Sequence, residues 1–342
     1  MAKINLLTIH WGCSYGGTMQ TYSTIKLLES LGHQVTLINL VHPQSTFKAK
    51  YKSLYSLWDS IVYVDFSLFR VNYFKRRTKR MNTISPSCIP ECDYFVVGSD
   101  QVWNEEITSP INKFYFFDFA ENTPRVSLSS SFGKDKIDWS VDYQKFVSDS
   151  LHKFKAISVR ESSGVQICKE LLGLKAVQLL DPTLLWGDFE PLMRKSAEKR
   201  QVYPFLFKNS EEADTICHTV STSLGIPLFT FNYFTRLFGR SPKSWLERMK
   251  YSDFIITDSF HGLAFSLIFH KRFIVLCADS KKFTRLKSLL ELVHLENRYI
   301  SSSEDLESRI NVLKEDIDYS KVDAILQTKR IEAIVFLKMA LT

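Results

Sequence analysis

The chain has 342 residues, of which 45% are hydrophobic and 24% charged, and its formal net charge is +7. This composition is typical of a globular protein and excludes a low-complexity chain, while the length suits two domains rather than one core. No apolar run approaches the roughly 20 residues that cross a bilayer. We therefore expect a cytoplasmic protein.

The positive charge is confined to one segment, residues 46–80. This segment contains nine basic side chains and two acidic ones, so it accounts for the whole net charge. The basic residues are Lys48, Lys50, Lys52, Arg70, Lys75, Arg76, Arg77, Lys79 and Arg80. Aromatic residues recur here at steps of three and four, which predicts an amphipathic helix over 47–74. The pattern suits contact with an anionic membrane, or equally an ordinary packed helix with a solvated basic end.

The sequence contains no sign of a cofactor, metal or nucleic-acid site. Cys88 and Cys92 are close, but no second Cys or His pair completes a zinc site, so we expect reduced thiols and no metal. The glycines of the first turn do not match the dinucleotide fingerprint. No nucleic-acid-binding module is recognisable, and the chain outside 46–80 is charge-balanced.

The chain opens with a predicted β-α-β unit. A first strand over 3–10 is followed by a turn that contains Gly16 and Gly17, a helix over 18–31 and a second strand over 35–40. These glycines favour close approach of a ligand to the backbone, although a tight turn explains them equally well.

A polar loop follows the short apolar strand 94–97. Its hydrogen-bonding and aromatic side chains are Ser99, Asp100, Gln101, Trp103 and Asn104. Such a loop at a strand end favours a sugar- or anion-binding site, the alternative being a capped structural turn. The next predicted strand, 126–131, ends at Ser131.

Arg160 follows another apolar strand, 156–159, at the point where a helix begins. A cation is unfavourable there unless an anion or Glu161 compensates its charge. An anion-binding role is the preferred interpretation. Further strands at 202–207, 226–231, 253–257 and 272–277 predict a second α/β unit. The predicted domains are 1–155, 156–320 and a C-terminal helix, 321–342, that packs back on the first domain.

His261 lies at a predicted strand-to-helix turn. The apolar residues 255–256 end a buried strand, and an apolar helical pattern resumes at Gly262. Ligands of open α/β sheets bind at such turns, and a helix N-terminus attracts a phosphate or carboxylate. The alternative is a capped helix with a half-buried histidine.

The order of these motifs resembles the polysaccharide pyruvyl transferase family. The matching stretches are Tyr15-Gly16-Gly17 with Gln20, Val97-Gly98-Ser99-Asp100-Gln101-Val102-Trp103-Asn104, Ser131-Phe132-Gly133, Ser158-Val159-Arg160-Glu161, Asp181-Pro182-Thr183 and Thr257-Asp258-Ser259-Phe260-His261-Gly262. They extend over residues 5 to 300. The second and the last stretches are the most specific.

The resemblance implies an α/β protein with two Rossmann-like domains in a GT-B-like arrangement and an active site in the interdomain cleft. It implies phosphoenolpyruvate as donor, and as acceptor a sugar of a cell-surface polysaccharide or of its precursor on undecaprenyl diphosphate. Pyruvate would bridge two sugar hydroxyls as a cyclic ketal, and phosphate would leave. No metal or other cofactor is expected.

Three residues are assigned to catalysis on this basis. His261 either donates the proton or binds the phosphate, Arg160 holds phosphate or carboxylate, and Asp100 is the base, a role that Asp258 could also fill. Ser259 stands where part of the family carries a basic residue, so Arg285 is expected to replace that contact. The remaining substrate-binding candidates are Gly16, Gly17, Ser99, Gln101, Trp103, Asn104, Ser131, Asp258, Ser259 and Gly262.

Two other functions are compatible with the sequence. A GT-B glycosyltransferase would use a nucleotide-sugar donor, but no acidic pair after His261 is suitably placed to hold a ribose. A non-catalytic carbohydrate-binding protein would bind glycans without turnover.

Overall fold

The chain forms two α/β units, described by a computed structural model over residues 1–43, 54–207, 210–232, 239–276 and 280–342. One unit comprises residues 1–186 with 329–342, and the other comprises 187–328. Lys48, Lys50 and Lys52 of the basic segment lie outside the described residues. Both units contain parallel sheets, which confirms the predicted α/β class with two Rossmann-like halves.

The first unit is built on a five-stranded parallel sheet of order β2-β1-β3-β4-β5. The strands are β1 (Lys3–Leu7), β2 (Gln34–Leu37), β3 (Tyr94–Val97), β4 (Arg125–Ser127) and β5 (Phe154–Ala156), with a small parallel pair, β6 (Ser158–Val159) and β7 (Val177–Gln178). The helices are α1 (Tyr15–Ser30), α2 (Leu54–Tyr73), α3 (Glu105–Thr108), α4 (Val141–Leu151), α5 (Ser162–Gln166) and α6 (Pro182–Trp186). The central strands are buried apolar runs, as parallel sheets covered on both faces require.

The second unit is built on a four-stranded parallel sheet of order β11-β10-β9-β8. Its strands are β8 (Lys199–Phe205), β9 (Ser252–Thr257), β10 (Arg272–Leu276) and β11 (Tyr299–Ile300). The helices are α7 (Glu211–Leu224), α8 (Pro242–Tyr251), α9 (Phe260–Ile268), α10 (Ser280–Leu292), α11 (Ser303–Ser308) and α12 (Tyr319–Ala340), whose residues from Lys329 onward belong to the first unit. The predicted strand over 226–231 is reduced to one bridge, between Val202 and Leu228.

The boundary between the units lies after Trp186, not after residue 155 as the sequence suggested. The reason is that β6 is hydrogen-bonded to the first sheet. The backbone N–H of Ser158 donates to Oγ of Ser127 at 2.8 Å, and that hydroxyl donates to the carbonyl of Ser158 at 2.8 Å. Arg160 therefore belongs to the first unit.

Candidate active site

Three loops of the first unit meet at the carboxyl ends of its strands. The backbone N–H of Ser131 donates to the carbonyl of Asp100 at 3.1 Å, and that of Arg160 donates to the carbonyl of Ser130 at 3.0 Å. The loops after β3, β4 and β6 therefore run side by side. The sequence placed Asp100, Ser131 and Arg160 at strand ends, and the structure brings them together.

Arg160 is part of a buried ion-pair network. Its side chain is only 3% exposed, with Nε 2.8 Å from Oε1 of Glu161 and Nη1 3.1 Å from Oδ2 of Asp181. Burial lowers the pKa of Arg160, but the attraction of Glu161, Asp181 and Asp100 outweighs it and the pKa is raised. This corrects the expectation that a substrate anion compensates Arg160, because two protein carboxylates already do so.

Two buried serines donate to the same carboxylates. Ser99 Oγ donates to Oδ2 of Asp181 at 2.9 Å, and Ser131 Oγ donates to Oε1 of Glu161 at 3.0 Å. Both serines are fully buried. They hold the ion-pair network in place, so we do not assign them to substrate binding. Asp181 was missed as a site residue, although the Asp181-Pro182-Thr183 motif pointed to it.

Several carboxylates lie around Arg160. Glu161 and Asp181 are at hydrogen-bonding distance, and the charge of Asp100 also acts on it. A phosphate placed here would meet these carboxylates in a poorly solvated environment. The phosphate site is therefore expected elsewhere.

Trp103 lies in the hydrophobic core rather than on a binding surface. It is 1% exposed and lies 5.0 Å from Phe132 and 5.8 Å from Phe116, centroid to centroid. Its Nε1 donates to the carbonyl of Tyr115 at 3.3 Å. With its ring enclosed, Trp103 cannot stack on a sugar, which corrects its predicted role.

Asn104 and Gln101 shape the loop after β3. Asn104 Oδ1 accepts the N–H of Glu106 at 3.1 Å as the cap of α3, and its amide donates to Oε1 of Gln101 at 2.9 Å. A Cβ added to Gly133 would lie 2.2 Å from that Oε1. The Ser131-Phe132-Gly133 motif thus lets two loops approach closely.

Asp100 is the partly exposed acid of this loop. Its backbone has a φ of 76°, a left-handed conformation that is uncommon for a residue other than glycine. Its Oδ1 accepts the N–H of Gln101 at 2.8 Å. Strained backbone of this kind concentrates at functional sites. Unlike Ser99 and Arg160, Asp100 is accessible enough to meet a substrate.

Gly16 and Gly17 are buried in the first turn of α1, and Ser14 Oγ caps the N–H of Gly17 at 3.1 Å. A Cβ on Gly17 would lie 3.3 Å from the carbonyl of Ile9. Close packing of α1 on the loop after β1 accounts for Gly17. The predicted substrate contact of this pair remains a prediction.

His261 lies in the second unit, at the carboxyl end of the central strand β9. Ser259 is the N-cap of α9, and His261 is the second residue of the helix and half-buried. The side chain of Ser259 makes no capping hydrogen bond. The positive end of the helix dipole at this turn favours a bound anion.

Thr257 and Asp258 hold this turn. Thr257 Oγ1 donates to the carbonyl of Phe205 at 2.8 Å and accepts the N–H of Ser259 at 3.1 Å. Asp258 Oδ1 accepts the N–H of Phe207 at 2.8 Å. The loops after β8 and β9 are thereby joined. Thr257 was missed as a positioning residue because a threonine at the end of a strand is ordinary in sequence.

Gly262 allows α9 to lie directly against the end of β9. A Cβ added there would lie 2.0 Å from Oγ1 of Thr257 and 3.1 Å from Cδ1 of Phe205. No side chain fits at this distance. The glycine is therefore required by packing next to His261, and its predicted substrate contact remains a prediction.

We expect Gly262→Ala to destabilise the protein by about 1–3 kcal/mol, the usual range for overpacking, and to reduce activity because Thr257 must move. Chemical denaturation measures the stability. The double variant Thr257→Ala/Gly262→Ala should be less destabilised than the sum of the single changes, since the first change removes the clashing atom. Simple additivity would contradict this explanation.

Arg285 lies on α10 and is half-buried. This helix packs against α9, the helix that carries His261. Arg285 thus belongs to the second unit, like the turn of His261, whereas Arg160 belongs to the first unit.

Comparison with known proteins identifies the family. The sequence model described as "Polysaccharide pyruvyl transferase" matches residues 15–278, well over half of the chain. The chain belongs to the polysaccharide pyruvyl transferase family. The match covers both the network around Arg160 and the turn of His261, so the predicted family resemblance is confirmed. None of the curated proteins matches this pyruvyl transferase family member.

Several solved structures are similar to this family member. A functionally uncharacterized protein of Klebsiella pneumoniae has a TM-score of 0.51 at 10% identity, covering 87% of this chain and 93% of that one. UDP-N-acetylglucosamine 2-epimerase of Rickettsia bellii has a TM-score of 0.49 at 11% identity, and the match covers 98% of this chain and 96% of that one. MurG of Acinetobacter baumannii has a TM-score of 0.42 at 10% identity, and the match covers 97% of this chain and 94% of that one. At such identities the likeness concerns the fold alone.

Proposed function

We propose that this protein transfers the enolpyruvyl group of phosphoenolpyruvate onto two hydroxyls of one sugar, forming a cyclic pyruvate ketal and releasing phosphate. The observation that carries the proposal is the turn of α9. It combines a titratable imidazole, His261, with a helix N-terminus that the side chain of Ser259 does not cap. The donor needs both an acid and an anion site, and family membership supports the reaction.

In the proposed mechanism His261 acts first. The phosphate of the donor lies at the N–H groups of the first turn of α9, where the helix dipole favours negative charge. The imidazolium of His261 protonates the methylene carbon, which becomes a methyl group and leaves an oxocarbenium-like centre. Arg285 supplies the cation that Ser259 does not.

The acceptor completes the ketal in two additions. A sugar hydroxyl attacks the cationic carbon and its proton passes to Asp100, the partly exposed acid of the first unit. Phosphate leaves with the C–O bond electrons, the second hydroxyl closes the ring, and its proton returns to His261. In this assignment the acid belongs to the second unit and the base to the first. Arg160 positions the loops around Asp100.

The proposed acceptor is a sugar of a cell-surface polysaccharide. We propose that the enzyme acts on this sugar while the polysaccharide precursor is still linked to undecaprenyl diphosphate. Such a precursor would place the protein in the cytoplasm at the inner face of the membrane. No helix within the described residues has both the length and the hydropathy to cross a bilayer.

Ligand-dependent thermal unfolding separates this proposal from a nucleotide-sugar transferase. A ligand at 100 times its Kd stabilises the folded state by about 2.7 kcal/mol, so phosphoenolpyruvate should raise Tm. UDP-sugars at the same concentration should leave it unchanged. The turnover test is phosphate release with soluble and lipid-linked galactosides, glucosides and mannosides. Stabilisation by UDP-sugars alone, or glycan binding without phosphate release, would contradict the proposal.

A further inference from the structure

The helix α2 has two apolar faces, and only one of them is used by the core. Val62, Phe66 and Phe69 are buried. The ring of Phe66 lies 5.1 Å from that of Tyr15, and the ring of Phe69 lies 6.4 Å from that of Tyr22, both on α1. Phe69, one of the aromatic residues that suggested a membrane surface in the sequence, therefore packs inward.

The second face is an exposed aliphatic stripe. Val64, Leu68 and Val71 are 52%, 54% and 54% exposed. Their spacing of four and three residues places them on one side of the helix. Single exposed apolar residues are ordinary, but three in line on one helix mark a contact surface.

Exposed cations continue this stripe. Lys75, Arg76, Lys79 and Arg80 follow the end of α2 at Tyr73 and are all exposed. No acidic residue occurs between Phe66 and Pro90, and Asp65 directly precedes this stretch.

The other two arginines of the segment have structural roles. Arg77 Nη1 donates to the carbonyls of Arg70 and Phe74 at 2.7 and 3.0 Å. Arg70 donates to the carbonyl of Gly12. The basic residues thus divide into an inward pair that holds the end of α2 and an outward group of four. Among the basic residues of this segment that the structure describes, the outward group is the one exposed to a partner.

We propose that the aliphatic stripe of α2 and its four exposed cations form a docking surface for an anionic lipid bilayer. Val64, Leu68 and Val71 would enter the boundary between head groups and acyl chains, while Lys75, Arg76, Lys79 and Arg80 contact lipid phosphates. A bilayer offers apolar and anionic layers side by side, which matches the order of the aliphatic residues and the cations along the chain. This surface does not depend on the proposed pyruvyl chemistry.

A second exposed stripe on α12 provides a matched control. Ile331, Val335 and Met339 are also exposed and follow one another at four-residue steps. Their neighbour Glu332 forms an ion pair with Lys329 at 2.8 Å. Apolar exposure is similar in the two stripes, but the cluster of four exposed cations adjoins only the one on α2 among the described residues.

The test is flotation of the full chain with vesicles of phosphatidylcholine, with or without phosphatidylglycerol. The wild type should bind the anionic vesicles and not the neutral ones, and added salt should weaken binding. V64S/L68S/V71S should lower the partition coefficient at least about tenfold, since each methylene buried in lipid contributes about fourfold. In K75Q/R76Q/K79Q/R80Q, each neutralised cation should lower the partition coefficient by about fivefold.

The control variant I331S/V335S/M339S should bind anionic vesicles like the wild type. Equal losses in both stripe variants, or no binding by the wild type, would overturn the proposal. Sedimentation separates one alternative: if V64S/L68S/V71S dissociates an oligomer but leaves flotation unchanged, the face joins copies of the chain. Phosphate release with a soluble acceptor should be normal in all these variants, so failure here is distinguishable from failure of the proposed reaction.

Discussion

Replacement of His261 by glutamine is expected to lower phosphoenolpyruvate-dependent phosphate release by about 100- to 10,000-fold, the range for loss of a general acid. Glutamine keeps a polar side chain of similar length but has no proton to give near neutral pH. The half-buried position at the start of α9 makes few demands on packing. The free energy of unfolding should therefore change by less than about 0.5 kcal/mol.

The measurements are single-turnover phosphate release and chemical denaturation on the same preparations. His218→Gln is the matched control, because His218 is exposed on α7 of the same unit. It should retain full activity. Near-normal turnover in His261→Gln would remove His261 from the mechanism. If the variant bound phosphoenolpyruvate more weakly but released phosphate at the same rate once bound, His261 would be a phosphate ligand rather than the acid.

Replacement of Arg160 by methionine is expected to destabilise the first unit by about 3–5 kcal/mol, the range for breaking a buried ion pair. Methionine fills much of the volume but leaves the carboxylates of Glu161 and Asp181 buried without their cation. Both lie within 3.1 Å of the guanidinium. Loss of activity in this variant should follow loss of the folded state, in contrast to His261→Gln.

Two comparisons test this role by chemical denaturation. Lys26→Ala removes the exposed pair with Glu29 and should change stability by less than about 1 kcal/mol. Adding Glu161→Gln to Arg160→Met removes one uncompensated charge and should recover part of the loss. If Arg160→Met were as stable as the wild type but bound phosphoenolpyruvate poorly, Arg160 would be a substrate ligand after all.

The strand ends and the turn of His261 were predictable because they depend on local patterns. Apolar runs of four to six residues, followed by polar clusters, marked β3 and β9, and the structure places both strands there. The change from strand to helical periodicity after Thr257 located the start of α9. The sequence similarly located Asp100, and only its left-handed backbone was unforeseen.

Glu161 was foreseen as a possible partner of Arg160, but the boundary at Trp186 and the pairing with Asp181 were not predictable, because both depend on contacts between residues far apart in sequence. Arg160 pairs with Asp181, and Ser99 reaches the same carboxylate from a different loop. No periodicity connects such positions. The small pair β6–β7 belongs to the first unit only because its hydrogen bonds run to Ser127 and Ser130.

The sequence by itself determined the family, the parallel α/β class, the position of His261 at a helix start and the location of the charge excess. The tertiary structure decided which side chains are free to act. It enclosed Trp103 and Arg160, left Asp100 partly exposed, and turned the aromatic face of α2 inward while its aliphatic face remained in solvent. The physical reason is that residue type sets what a side chain can do, whereas burial and hydrogen-bond partners, set by distant residues, decide whether a ligand can reach it.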